Sequence, residues 1–285
     1  MTNRLSRRGI AGLAATGMAA LAPAAFIGTA HAQSTSESTF DRVNRTKVLR
    51  IAALPGELPY FHKDIATGEW SGAAISMAKD IAKIFDAKLE YLESTYGNSV
   101  LDLQANKVDL AFALNPTPQR ALSIGFTNAM IIHPFGCIAR AGFDPRSWAD
   151  LNKPEVRIVV DLGSLHEVIA RRFTPKATIT AFKTRDDAIL AMQGGRADAD
   201  ILAAMLGITA IAKNPGLGSY RLIGNPTVAL PSCMGVRREP DTRFKEVINA
   251  WLDMNRGTGQ IRQWMIEGIL QTGAKETDIP ADLSF

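Results

Sequence analysis

Arg120 closes the segment Asn115-Pro116-Thr117-Pro118-Gln119-Arg120. A planar guanidinium offers two parallel charge-assisted hydrogen bonds to a carboxylate, whereas most loop arginines offer them only to water. Gly163-Ser164 stands between a strand-like run and a helix-like pattern. The free amides of a helix start there form a natural anion site, and Ser164 could equally serve as a plain N-cap. Glu57 reads as a solvated loop acid, Asp161 as a polar strand end and Tyr96 as a loop aromatic. His62, His133 and His166 show no metal-ligand spacing. His133 and Cys137 are four apart in a strand-like run, where that offset does not bring side chains together. No phosphate-binding loop, dinucleotide fingerprint or nucleophile elbow is present, so no metal or cofactor is expected.

The elements that must position these residues alternate. Val48 to Ala53, Lys88 to Leu92 and Val108 to Leu114 read as strands, the last a nearly continuous apolar run expected of a strand covered on both faces. Ala78, Ile81, Ala82 and Phe85 fall at helical offsets, and Ser99 to Ala105 reads as a second helix. A second block repeats the pattern. Its strands are predicted at Arg157 to Val160, Ile179 to Phe182 and Asp200 to Leu202, with helices after each. Cys233 to Val236 is a further short strand, and two helices follow, the first capped by Asp241 and the second opened by Thr258. The class implied is α/β, with two open, mostly parallel sheets flanked by helices and a cleft between them.

Composition narrows the setting. Arg4, Arg7 and Arg8 precede a weakly apolar run from Gly9 to about Ile27, and Ala30-His31-Ala32 is a small-x-small cleavage pattern. Residues 1–32 are therefore expected to be an export signal cleaved near Ala32, and Ser6-Arg7-Arg8-Gly9-Ile10 resembles the twin-arginine motif. The signal holds three Arg and no acid, leaving 29 basic and 28 acidic residues in the other 253, a net +1. Such a balance does not argue for nucleic acid. Residues 33–46, rich in Ser and Thr, are expected to be a flexible mature start.

The ordered motifs resemble the family 3 extracellular solute-binding proteins, the polar amino-acid receptors of ABC importers, over about residues 46–271. Lys47-Val48-Leu49-Arg50-Ile51 looks like that family's first strand, and Glu69-Trp70-Ser71-Gly72 with Ala78-Lys79-Asp80-Ile81-Ala82 looks like its first turn and helix. Leu103-Gln104-Ala105-Asn106-Lys107-Val108-Asp109 resembles "L-x-x-G-K-x-D", and Asn115 to Arg120 resembles "T-I-T-P-E-R". Ser123-Ile124-Gly125-Phe126-Thr127, Gly163-Ser164, Gly195-Arg196-Ala197-Asp198-Ala199, and Gly257-Thr258 with Ile261 and Trp264 complete the series.

The resemblance implies a two-lobe, type II-like periplasmic binding protein fold. Lobe 1 would be residues 47–136, lobe 2 residues 141–232, and residues 233–285 would return to lobe 1. Hinge strands would lie near Cys137 to Arg140 and Cys233 to Arg237. It implies a monomeric periplasmic receptor that hands a small solute to an inner-membrane ABC permease. It also implies that Arg120 binds the ligand carboxylate, that Asn115 and the Ala113 backbone face the ligand, and that Tyr96 is an aromatic platform. Ser164, Leu165 and His166 occupy the "G-S-T" region. The chain departs from the pattern where the acid that binds the ligand's α-ammonium should stand, which here is Ala203. Either Glu57 or Asp161 replaces it, or the ligand lacks an α-amine. A dehydratase resembling cyclohexadienyl dehydratase, with Glu167 as its acid, is the enzyme alternative, and a sensor or accessory binding protein is a third. Cys137 and Cys233 are expected to remain free thiols, because a twin-arginine substrate folds before it leaves the reducing cytoplasm.

Overall fold

The computed structural model describes residues 37–279, so the export signal and cleavage site lie outside the described residues. The chain runs through α1 (Thr39–Thr46), β1 (Val48–Ala53), β2 (His62–Lys63), β3 (Trp70–Ser71), α2 (Ala73–Ile84), β4 (Lys88–Glu93), α3 (Tyr96–Gln104), β5 (Leu110–Leu114), α4 (Pro118–Ala121) and β6 (Ile124–Ala139). It continues through α5 (Trp148–Leu151), β7 (Arg157–Asp161), α6 (Leu165–Phe173), β8 (Thr178–Phe182), α7 (Arg185–Gln193), β9 (Ala199–Ala203), α8 (Ala204–Lys213), β10 (Ser219–Leu222), β11 (Ala229–Arg237), α9 (Arg243–Gly257) and α10 (Gln260–Leu270).

The α/β class is as expected, and the two parallel sets are joined. β1 pairs in parallel with β4 and β5, and β7 pairs in parallel with β8 and β9. Between the sets lie β11 and β6, giving the order β4-β1-β5-β11-β6-β9-β7-β8. Every residue of β5 and of β9 is buried; β5 reads accordingly as an unbroken apolar run, and β9 as one interrupted by the buried Asp200. One hydrophobic cluster packs β1, α2, β5, α9 and α10, and separate clusters form around β7, β9, α6 and α7.

Each parallel set is registered by the same device. The Asp109 carboxylate accepts the Arg50 amide at 2.7 Å and its guanidinium at 2.8 Å, while that guanidinium also donates to the Asn106 carbonyl at 2.7 Å. Asp198 does the same for Arg157, at 2.9 Å to amide and guanidinium, with Arg157 donating to the Gly195 carbonyl at 2.8 Å. Charged acceptors form the stronger class of hydrogen bond. The aspartates of two sequence motifs thus set the starts of β1 and β7 rather than meeting a ligand.

Three details differ from the sequence reading. Residues 39–46 form a packed helix: Ser38 caps α1 by accepting the Asp41 amide, Val43 is fully buried, and Arg42 pairs with Asp109. The long strand β6 changes partner at Pro134–Phe135, from β11 to β9, upstream of the expected hinge at Cys137 to Arg140. On β11, the stretch Ala229 to Ser232 pairs with β6 alone, upstream of the expected Cys233 to Arg237. An uninterrupted apolar run reports burial and carries no mark of where a strand exchanges neighbours.

The register also settles the cysteines. Cys233 faces Ala129, and Cys137 lies eight residues farther along β6, against Ile201. At roughly 3.3 Å per residue they are about 26 Å apart. A disulfide needs Cα atoms within about 7 Å. Both thiols are buried, and burial pushes that of Cys233 up to about 11. Thiol titration of unreduced protein should find both sulfurs in denaturant and neither reacting quickly in native buffer. A missing pair in denaturant contradicts this register.

Candidate functional site

The carboxyl ends of β1, β5, β7 and β9 all open on one cleft, the position where open α/β sheets hold ligands. After β1 comes Glu57, at the end of β5 come Ala113 and Asn115, after β7 come Asp161 and Ser164, and β9 ends at Ala203. A narrow cavity is walled by Tyr96, Ala113, Asn115, Arg120, Ser164, Leu165, His166 and Ala203, together with Tyr60, His133, Leu206 and Ser232. Glu57 and Asp161 are absent from that wall and line an adjoining mouth with Arg185.

Arg120 is presented by α4, whose N-cap Thr117 accepts the Arg120 amide at 3.2 Å, with Pro118 at the first helical position. Its guanidinium donates to two carbonyls, that of Asn115 at 3.0 Å and that of Gly163, across the cleft, at 2.8 Å. Among the described residues no carboxylate pairs with it. Carbonyl partners leave the full positive charge uncompensated, and burial lowers the pKa accordingly. Ala113 adopts φ +58°, a left-handed conformation uncommon for a residue with a Cβ and one that clusters at ligand sites. Asn115 spends its amide on the Pro231 carbonyl at 2.7 Å, which pins the β5 turn to β11.

Ser164 caps α6: its hydroxyl accepts the Glu167 amide at 3.3 Å and donates to the Asp161 carbonyl at 2.7 Å. Glu167 is occupied as well, accepting from the Gly163 amide at 2.8 Å and from Arg171 at 2.8 Å, and it does not line the cavity.

The mouth holds a buried ionic cluster centred on Arg185, the first residue of α7. Its guanidinium binds Asp161, reaches Glu57 at 3.4 Å and lies 3.8 Å from Asp200. Burial disfavours every charge here, but the three carboxylates outweigh it and raise the Arg185 pKa. Burial also raises Asp161, yet Arg185 and His166 overcome it and hold Asp161 ionised. Glu57 differs. Its Oε2 accepts the Tyr96 hydroxyl at 2.9 Å, and burial pushes its pKa up to about 7. His166 Nδ1 lies 3.1 Å from Asp161, and its ring meets Tyr96 edge-on at 6.1 Å.

Sequence reasoning missed Arg185, Asp200, His133, Tyr60 and Ser232. A basic residue in the first turn of a helix opposes the macrodipole, and that was the only local signal for Arg185. His133 sits inside β6 with both ring nitrogens buried and unpartnered, and burial pushes its pKa down to about 3. Among the described residues the buried hydroxyls of Tyr60 and Ser232 have no hydrogen-bond partner.

The family model for bacterial extracellular solute-binding proteins, family 3, matches residues 49–267. The chain is 24% identical over 251 residues to the cyclohexadienyl dehydratase of Pseudomonas aeruginosa, covering 86% of this chain and 91% of the relative. It is 24% identical over 210 residues to the histidine-binding periplasmic protein of Escherichia coli, covering 70% and 79%. Among solved structures it is similar to an ancestral amino acid-binding protein described as a precursor of cyclohexadienyl dehydratase, with TM-score 0.71, 26% identity and coverage of 80% and 100%. An amino acid ABC transporter substrate-binding protein of Streptococcus pneumoniae bound to L-arginine shares the fold at TM-score 0.75 and 18% identity, with coverage of 82% and 99%.

Proposed function

The chain belongs to the bacterial extracellular solute-binding proteins of family 3, and from that premise we propose that it captures a small carboxylate-bearing solute for an ABC importer. The observation that carries this reading is Arg120, a buried-facing guanidinium without a carboxylate partner, at the carboxyl ends of four strands. A bidentate carboxylate supplies the missing negative charge. The family is periplasmic in its curated relatives, such as the histidine-binding protein of Escherichia coli. The basic start and small-x-small pattern of residues 1–32 support export to that compartment, by the twin-arginine route. No helix among the described residues is long and apolar enough to cross a membrane. The receptor acts as a monomer and delivers its solute to an inner-membrane permease.

Capture closes the two strand sets around the solute, residues 47–136 on one side and 141–232 on the other. Arg120 to Gly163, Arg185 to Glu57 and Thr209 to Leu58 are among the contacts that join them. Small-angle scattering with and without saturating solute should show a smaller radius of gyration in its presence. An identical radius speaks against closure.

A dehydratase role is the second reading, favoured by the similarity to the Pseudomonas aeruginosa enzyme and by Glu57, a cleft acid whose pKa is pushed up to about 7, near the working pH of a general acid. Glu167, the acid expected from sequence, is bound to Arg171 and the Gly163 amide. Turnover of prephenate by the purified protein would establish the enzyme reading, and saturable binding without turnover supports capture.

A further inference from the structure

On the reading that the cavity captures a carboxylate, its wall restricts the rest of the molecule. We propose that the solute is a small monocarboxylate whose other polar groups are uncharged, a 2-hydroxy or 2-oxo acid rather than an amino acid, and that His133 helps to select it.

Charge is the first argument. Among the described residues, Arg120 is the single ionised side chain on the cavity wall, and no carboxylate shares that wall. A monoanion brings the site to neutrality. An α-amino acid carries its own ammonium and leaves one positive charge in excess, buried beside Ala203, Leu165 and Leu206. Stranding a buried charge is among the most costly events in a protein.

The acids nearby do not supply the partner. Glu57, Asp161 and Asp200 all face Arg185. Asp161 is further held by His166, and Glu57 by Tyr96. The side chains of Tyr96 and His166 stand on the cavity wall, whereas Asp161 and Glu57 stand on the mouth. One Asp161 oxygen has no hydrogen bond, but its carboxylate is already neutralised by the guanidinium beside it.

His133 is the second argument. Its imidazole is buried, lines the cavity and, among the described residues, has no hydrogen-bond partner at either nitrogen. A neutral imidazole has one donor and one acceptor. The donor suits a 2-oxo oxygen, and either nitrogen suits a hydroxyl. The acceptor could also take an ammonium N–H, but it would not neutralise the charge.

Calorimetry on the full mature protein with acids matched at C2 tests this: L-lactate, pyruvate and L-alanine, then phenyllactate, phenylpyruvate and phenylalanine. In a series that binds, the hydroxy or oxo acid should be at least about 100-fold tighter than the amino acid, the factor expected when a charge loses its partner. His133→Leu should weaken that acid roughly 3- to 10-fold, as for one neutral hydrogen bond. Ala203→Asp should shift preference toward the amino acid. The wild-type comparison stands even if that variant does not fold. An amino acid that binds as tightly as its partners overturns the inference and leaves carboxylate capture intact. Failure of all acids, hydroxy, oxo and amino alike, removes the capture reading, and the inference falls with it.

Discussion

Arg120→Ala is expected to abolish measurable capture while leaving the protein folded. Deleting one partner of a desolvated charge pair costs roughly 2–5 kcal/mol, about 30- to several-thousand-fold in affinity. The fold should tolerate the change because, among the described residues, Arg120 makes no ion pair. Its two protein partners, the carbonyls of Asn115 and Gly163, can accept water instead. Arg120→Lys should fall between, since an ammonium keeps the charge but loses the planar fork. Calorimetry measures the affinity, and far-UV circular dichroism with a melting curve measures the fold. Unchanged affinity in the folded Ala variant would remove Arg120 from the site.

Arg185→Met should have the larger effect on stability. Methionine keeps much of the buried stem and deletes the charge. Glu57, Asp161 and Asp200 then face one another without a cation, and breaking a buried pair costs about 3–5 kcal/mol. The pH dependence follows from the shifts. In the intact protein Asp161 is held below its ordinary value of 3.8, so its contribution is present above that value and lost as pH falls further. Glu57 is raised from 4.5 to about 7, so its effect has the opposite sign, and stability declines as pH rises across that window. Without Arg185 all three carboxyls escape repulsion by binding protons. The stability gap between variant and wild type should therefore narrow from pH 8 to pH 5. Urea unfolding at both values measures it. A gap under about 1 kcal/mol, or one independent of pH, contradicts a cluster held by Arg185.

The strands that carry the site were legible because burial on both faces writes itself as an apolar run, unbroken in Leu110 to Leu114 and interrupted by Asp200 in Ala199 to Ala203. Arg120 was legible because its position is local: Thr117 and Pro118 shape the turn that presents it. The ionic cluster was not. Arg185 meets Glu57 from 128 residues away, and no local pattern encodes that approach. His133 was hidden for a related reason. The buried run from His133 to Ala139 tells that these residues are covered, and it is silent on whether a covered imidazole meets a protein partner. Ser164 shows the converse: its signals as an anion ligand and as a helix cap are identical, and in the fold it caps α6.

The most direct test of capture is calorimetric titration of the mature protein with small carboxylic acids, each run beside its methyl ester. The two differ in the charge that Arg120 recognises and little else. The expected result is saturable binding of at least one acid at one site per chain, with its ester at least about 100-fold weaker. Binding of acid and ester with equal affinity, or no saturable heat with any acid, would contradict the account.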